Sequence, residues 1–150
     1  LSLTYPVIEA DSEEAKNIIS VVEKKLLNAY GLKTLAKGEE NYVEVYEGDG
    51  KKRDSSYHQG ITWPWLLGLY YNALKNILKK TKKKDAKKEL ETKLEKFIEK
   101  TSKTFQKEIS HNGCIGSISE LYDSRKPYLP KGTIAQAWSV AEVFRIILNK

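Results

Sequence analysis

Apolar positions recur with helical spacing in four segments of this chain and lose any period in two long stretches between them. In the first segment Ala15, Ile18, Ile19, Val22 and Leu26 fall on one stripe with polar residues between them. Asp11 or Ser12 can cap its start, and Glu14 stands three residues after Asp11, the spacing of a capping box. The second segment, about 62–80, carries Trp65, Leu66, Leu67, Leu69, Tyr70, Tyr71, Ala73, Leu74, Ile77 and Leu78, so its first turns are apolar almost all round. Pro64 sits there like the first-turn proline of a helix. The third, about 85–109, keeps a single stripe of Leu90, Leu94, Phe97, Ile98, Thr101 and Phe105. The fourth, from 133 onward, is apolar almost throughout, with charge only at Glu142, Arg145 and the end.

A helix with one stripe covers a surface, whereas a helix apolar all round needs neighbours on every side. The order surface, enclosed, surface, enclosed predicts an all-α fold of helical hairpins, outer helix then inner helix, as in part of an (α/α)6 barrel. A plain helical bundle with two decorated loops is the alternative. The stretches 29–61 and 110–132 each run into an enclosed helix, which places both at one end of the fold. Loops of that length in a compact domain are usually functional or disordered.

Composition narrows the picture. One domain fits the 150 residues, of which 40% are hydrophobic. The net charge of +6 is local: residues 75–107 hold thirteen lysines against five acidic residues, more than the excess of the whole chain. These lysines share the polar face of the third helix with Glu89, Glu91, Glu95 and Glu99, and no aromatic residue interleaves with them for base stacking, which argues for a solvated face and against nucleic acid. No apolar run reaches membrane-spanning length and no signal-peptide layout opens the chain, so no membrane partner is expected. The single cysteine, Cys114, excludes an internal disulfide and favours a cytoplasmic location. The chain starts at Leu1 and holds no Met, which reads as a piece of a longer protein.

The chemistry concentrates in the two aperiodic stretches. Tyr57-His58-Gln59-Gly60-Ile61-Thr62-Trp63-Pro64-Trp65 sets aromatic planes beside amide and imidazole groups, which suits a flat, hydroxyl-rich ligand such as a sugar. The first stretch also offers Lys33, Tyr46, Glu47, Arg53 and Asp54; the second offers His111, Cys114, Ser117, Ser119, Glu120, Tyr122, Asp123 and Arg125. Cys114 stands alone, and His58 and His111 are far apart, so no metal site is expected and no cofactor is called for. Ser117 and Ser119 lack nucleophile-elbow spacing, and nothing activates Cys114 toward His111. Carboxylate chemistry remains, with Glu120, Asp123 and Asp54 as candidates.

Several motifs in order then resemble one family. Tyr30-Gly31-Leu32-Lys33-Thr34-Leu35, Tyr46-Glu47-Gly48-Asp49, the run Arg53 to Gly68, Gly113-Cys114-Ile115-Gly116-Ser117-Ile118-Ser119-Glu120-Leu121-Tyr122-Asp123 and Gly132-Thr133-Ile134-Ala135-Gln136-Ala137-Trp138 resemble the C-terminal part of glycogen debranching enzymes. The resemblance spans nearly the whole chain, with the lysine-rich helix divergent. It implies an amylo-α-1,6-glucosidase domain, a glucoamylase-like (α/α)6 barrel that is incomplete here, acting on branched α-glucan such as glycogen or limit dextrin with inversion. It implies Glu120 as general base, with Lys33, Tyr57, His58, Gln59, Trp63, Gln136 and Trp138 as substrate contacts. The general acid of the family is an aspartate in a Trp-Met-Asp type motif that this sequence lacks, so the isolated chain is expected to be inactive. Twelve barrel helices would need roughly three times these residues. Enclosed helices without neighbours would also favour self-association. A non-catalytic glucan-binding module, a glucoamylase- or trehalase-like hydrolase of another α-glucoside, and a basic interaction protein are the competing readings.

Overall fold

A computed structural model describes residues 8–9 and 12–148. Helix α1, Glu13–Val21, is capped by Ser12, whose hydroxyl accepts from the Ala15 amide, and runs into a π-helical turn, Val22–Leu26, closed by the Leu27 amide on the Val22 carbonyl. Asp11, the other cap candidate, lies outside the described residues. Strand β1 is Leu32–Lys33, the short helix α2 is Gly50–Ser56, and β2 is Thr62–Trp63. Helices α3, Leu66–Lys80, and α4, Lys84–His111, form a hairpin; β3, Leu121–Tyr122, β4, Pro130–Lys131, and α5, Ala137–Leu148, complete the order. The fold is mostly helical, in keeping with the all-α expectation, and its strands are two residues long each.

The two aperiodic stretches are more structured than their sequence suggests. They meet in a four-stranded antiparallel sheet ordered β1-β2-β3-β4, with Leu32 opposite Trp63, Thr62 opposite Tyr122, and Leu121 opposite Lys131. Two-residue strands carry too few positions to show a period of two, so they leave no trace in the hydrophobic pattern. They also displace two predicted helix starts. Thr62 and Trp63 pair as β2, and the helix begins at Leu66 after a turn in which the Leu67 amide donates to the Pro64 carbonyl. Residues 133–136 stay outside α5, because the Thr133 carbonyl accepts from Glu120 and the Gln136 amide donates to Ile118.

Helix α3 is enclosed as expected, with no exposed residue from Leu66 to Leu74. It packs on α4 and α5 through a core of Leu67, Tyr71, Phe105, Ile118, Tyr122, Val143 and Ile146, and on α1 through Ala15, Ile19, Tyr70, Leu74 and Ile77. At the α3–α5 contact the Arg145 guanidinium donates to the Gly68 carbonyl, Asn72 and Glu142, and lies 5.5 Å from the Tyr71 ring centre. Gly68 leaves the room that the Glu142 carboxylate fills. Helix α5 departs from expectation: only Ser139, Val143 and Ile146 are buried, while Trp138, Phe144 and Leu148 are exposed. Among the described residues, its main helical contacts are with α4 and α3.

Candidate active site

Glu120 stands immediately before β3, and the sheet decides where its carboxyl group goes. Its amide donates to the Thr133 carbonyl at 2.9 Å, and its Oε2 accepts from the Thr133 amide at 2.9 Å, so the chain leaving β4 grips Glu120 from both ends. Gly132, in the left-handed region at φ 68°, is required there: a Cβ would stand 2.5 Å from Oε2. The other oxygen, Oε1, accepts a hydrogen bond from the Tyr57 hydroxyl. Burial, and next the bond to Glu120, push the Tyr57 phenol well above its ordinary range, so Tyr57 stays a proton donor toward that oxygen. Glu120 is 9% exposed, at the floor of a cleft of about 910 Å³ whose walls are Tyr46, Glu47, Arg53, Asp54, Tyr57 and Lys131.

The wall formed by residues 44–57 is joined to the floor by a small set of polar links besides the Tyr57 bond. Asp123 Oδ1 accepts from the Tyr46 amide at 2.9 Å, and the Ser124 amide donates to the Glu44 carbonyl at 2.8 Å. The Asp123 carboxylate is 4% exposed and its other oxygen lies 3.8 Å from Lys131 Nζ, so it braces the wall. Asp54, the third carboxylate singled out from the sequence, lines the cleft from α2 with its side chain exposed. Below the floor, Glu108 is 2% exposed and accepts from Tyr122 at 2.9 Å and from Asn112 at 3.1 Å.

The substrate-contact candidates fall into three groups. Tyr57 lines the cleft. His58, Trp63 and Trp138 form an aromatic array beside it: His58 stacks on Trp63 at 5.4 Å, Tyr57 meets Trp63 edge-on at 4.7 Å, and Trp138 meets Trp63 at 6.2 Å and stacks on Trp65 at 5.3 Å. Trp63 is 3% exposed and its ring packs in the core, whereas His58 and Trp138 are exposed. Lys33, Gln59 and Gln136 lie outside the cleft lining. The Lys33 ammonium sits over the Tyr42 ring at 5.6 Å, with its pKa lowered by burial and partly restored by Glu44. The Gln59 carbonyl accepts from the Val43 amide, and the Gln136 amide is used on Ile118.

Sequence reasoning passed over Lys131 and Thr133, which line the cleft. Thr133 acts through its backbone, which no side-chain pattern reveals, and Lys131 has no motif other than its place after Pro130. His111 is exposed at the end of α4 and Cys114 Sγ has the Ile115 carbonyl 4.0 Å away. Among the described residues no group of three or more His, Cys, Asp or Glu side chains could hold a metal ion, and no helix is long and apolar enough to cross a membrane.

The geometry therefore presents one buried carboxylate, oriented by two donors, at the base of an open, aromatic-walled cleft. Comparison with curated proteins finds no match. The sequence profile described as amylo-alpha-1,6-glucosidase matches residues 1–145, nearly the whole chain. The chain belongs to the amylo-α-1,6-glucosidase family.

Proposed function

We propose that this chain carries the general-base half of an inverting α-1,6-glucosidase site, with Glu120 deprotonating the water that attacks the anomeric carbon of a glucose branch on glycogen or limit dextrin. The observation that carries the reading is the double anchoring of Glu120. One oxygen faces an amide that can only donate, the other a phenol held in its protonated form, and each keeps a lone pair for water. That arrangement suits an acceptor of protons. Inversion requires a second carboxyl group about 6.5–9.5 Å away, protonated and on the leaving oxygen. Asp123 is committed to Tyr46 and Lys131, and the family's Trp-Met-Asp type motif is not among these residues. The chain alone is accordingly inactive, while the wall bearing Tyr57, His58 and the neighbouring tryptophans supplies glucan contacts.

The test uses both the chain and a longer protein that contains it. The chain alone should release no glucose from limit dextrin; release that Glu120→Gln abolishes would show the catalytic pair to be complete within it. In the longer protein, Glu120→Gln should lower kcat by about a thousandfold with a much smaller change in KM. Added azide should restore turnover and yield the inverted glycosyl azide. Unchanged kcat would remove Glu120 from the mechanism.

A further inference from the structure

Helix α4 sends an acid to a position where its own pattern calls for a hydrophobe. Ile98, Thr101 and Phe105 are buried along its stripe, and Glu108 follows at the same spacing, 2% exposed. A carboxylate taken out of water is costly unless its hydrogen bonds are made, and an apolar side chain would fill the space without that cost. Packing alone does not explain Glu108.

Its bonds lead to the floor of the cleft. Oε1 accepts from the Tyr122 hydroxyl at 2.9 Å, and Oε2 accepts from the Asn112 side-chain amide at 3.1 Å. An ionised carboxylate only accepts, so it fixes the direction of the Tyr122 O–H and leaves the lone pairs of that oxygen facing away from Glu108. Ser119, 2% exposed, stands there. Its amide and hydroxyl are turned toward the Tyr122 oxygen, where they offset in part the rise in the Tyr122 pKa that burial and Glu108 cause. A Cβ added to Gly113 would lie 3.2 Å from Glu108 Oε1 and 3.3 Å from Ser119 Oγ, so these groups crowd one small space. Ser119 is the residue before Glu120. From the other side the Thr133 amide and carbonyl hold Glu120, and the Gln136 amide holds the Ile118 carbonyl. The strip 118–120 is thus clamped between residues 133–136 and the Glu108–Tyr122 pair.

We propose that Glu108 is a positioning residue for Glu120: through Tyr122 and Ser119 it fixes the peptide that carries the base, and so the direction in which the carboxylate meets water. This role rests on Glu120 being the general base. Glu108 does not line the cleft, so its loss should act on kcat and leave KM alone.

The experiment uses the longer protein that contains this chain. Glu108→Met, which fills the space without an acceptor, and Tyr122→Phe, which cuts the link but keeps the ring, should each lower kcat by about tenfold with KM unchanged. Tyr122→Phe keeps the test decisive where Glu108→Met does not fold. Glu108→Gln retains an acceptor for Tyr122 and should hold kcat within about threefold of the parent. Tyr70→Phe is the control: it removes the same kind of buried bond, to Glu23, outside the cleft lining, and should lower stability with kcat unchanged. In the Glu120→Gln background with azide as nucleophile no base is left to position, and adding Tyr122→Phe should change nothing. Unchanged kcat in Tyr122→Phe, an equal loss in Tyr70→Phe, or a loss that persists in the azide-driven reaction overturns the proposal. If Glu120→Gln is itself without effect, the base and its positioning residue fall together; an impaired Glu120→Gln beside an unaffected Tyr122→Phe removes the positioning role alone.

Discussion

Tyr122→Phe removes one oxygen and tests the polar layer beneath the site. Tyr122 is fully buried and its hydroxyl donates at 2.9 Å to Glu108, itself 2% exposed, whose other hydrogen bond from a side chain comes from Asn112. Removing the hydroxyl leaves a buried carboxylate with one donor fewer, which should cost about 2–3 kcal/mol at neutral pH, the upper range for a hydrogen bond to a charged group. The same bond links stability to pH. Burial, and next the charge of Glu108, raise the Tyr122 phenol above its ordinary value. The folded state therefore keeps its proton while the unfolded state loses it above about pH 10. Stability from this phenol is complete below that pH and falls as pH rises, by about 1.4 kcal/mol at pH 11. Tyr70, 5% exposed and donating to Glu23 at 2.5 Å, behaves alike, so the protein should lose about 3 kcal/mol from the two phenols between neutral pH and pH 11.

The variant cannot lose the share that belonged to Tyr122. Urea unfolding at pH 8 and pH 11 should thus show a gap between protein and variant of about 2–3 kcal/mol that shrinks to about 1 kcal/mol at the higher pH. Tyrosinate absorbance on the folded protein should show the matching late titration. A gap that stays constant with pH would mean that the phenol titrates normally and that the buried bond to Glu108 does not form.

Gly31→Ala should destabilise by about 3 kcal/mol or more in the same unfolding assay, because its Cβ would stand 2.3 Å from the Trp63 carbonyl oxygen and β2 cannot retreat from paired neighbours. Gly68→Ala meets side-chain ends of Glu142 and Arg145 instead, so the partly exposed ion pair lost, about 1 kcal/mol, is offset by the helix propensity gained and the net change stays within about 1 kcal/mol. Tyr57→Phe should lower stability by about 1 kcal/mol, and in a longer active protein should reduce kcat more than it changes KM, because Glu120 loses an orienting donor while the ring remains.

The four long helices were legible because each is long enough to declare a period, whereas α2, Gly50–Ser56, is too short to do so and fell within the aperiodic stretch 29–61; the boundaries of the long ones failed where the backbone had other commitments. Thr62, Trp63 and residues 133–136 look helical in composition, yet their amides and carbonyls belong to the sheet and to the grip on Glu120. The site was legible in its side chains: Tyr57, Glu120, Asp54 and Arg53 stand out by chemical type and do face one cleft. What sequence could not show is the division of labour among similar groups. Asp123 and Glu120 are both carboxylates three residues apart, but register on β3 turns one into a brace for the Tyr46 wall and leaves the other at the cleft floor. Trp63 and Trp138 likewise differ through burial, which depends on partners distant in sequence.

The same contrast explains why α3 and α5, nearly alike as apolar helices, differ in the structure. Enclosure depends on neighbours rather than on composition. Helix α3 lies against α1, α4 and α5, and its first turns abut the sheet that shapes the cleft, so burying it also fixes Trp63 and through it Tyr57. Helix α5 spends one face on that task, through Val143, Ile146 and the Arg145 contacts, and retains a second face of the same hydrophobicity. Substitution at Gly31 or Tyr122 should accordingly act on the fold and the site together.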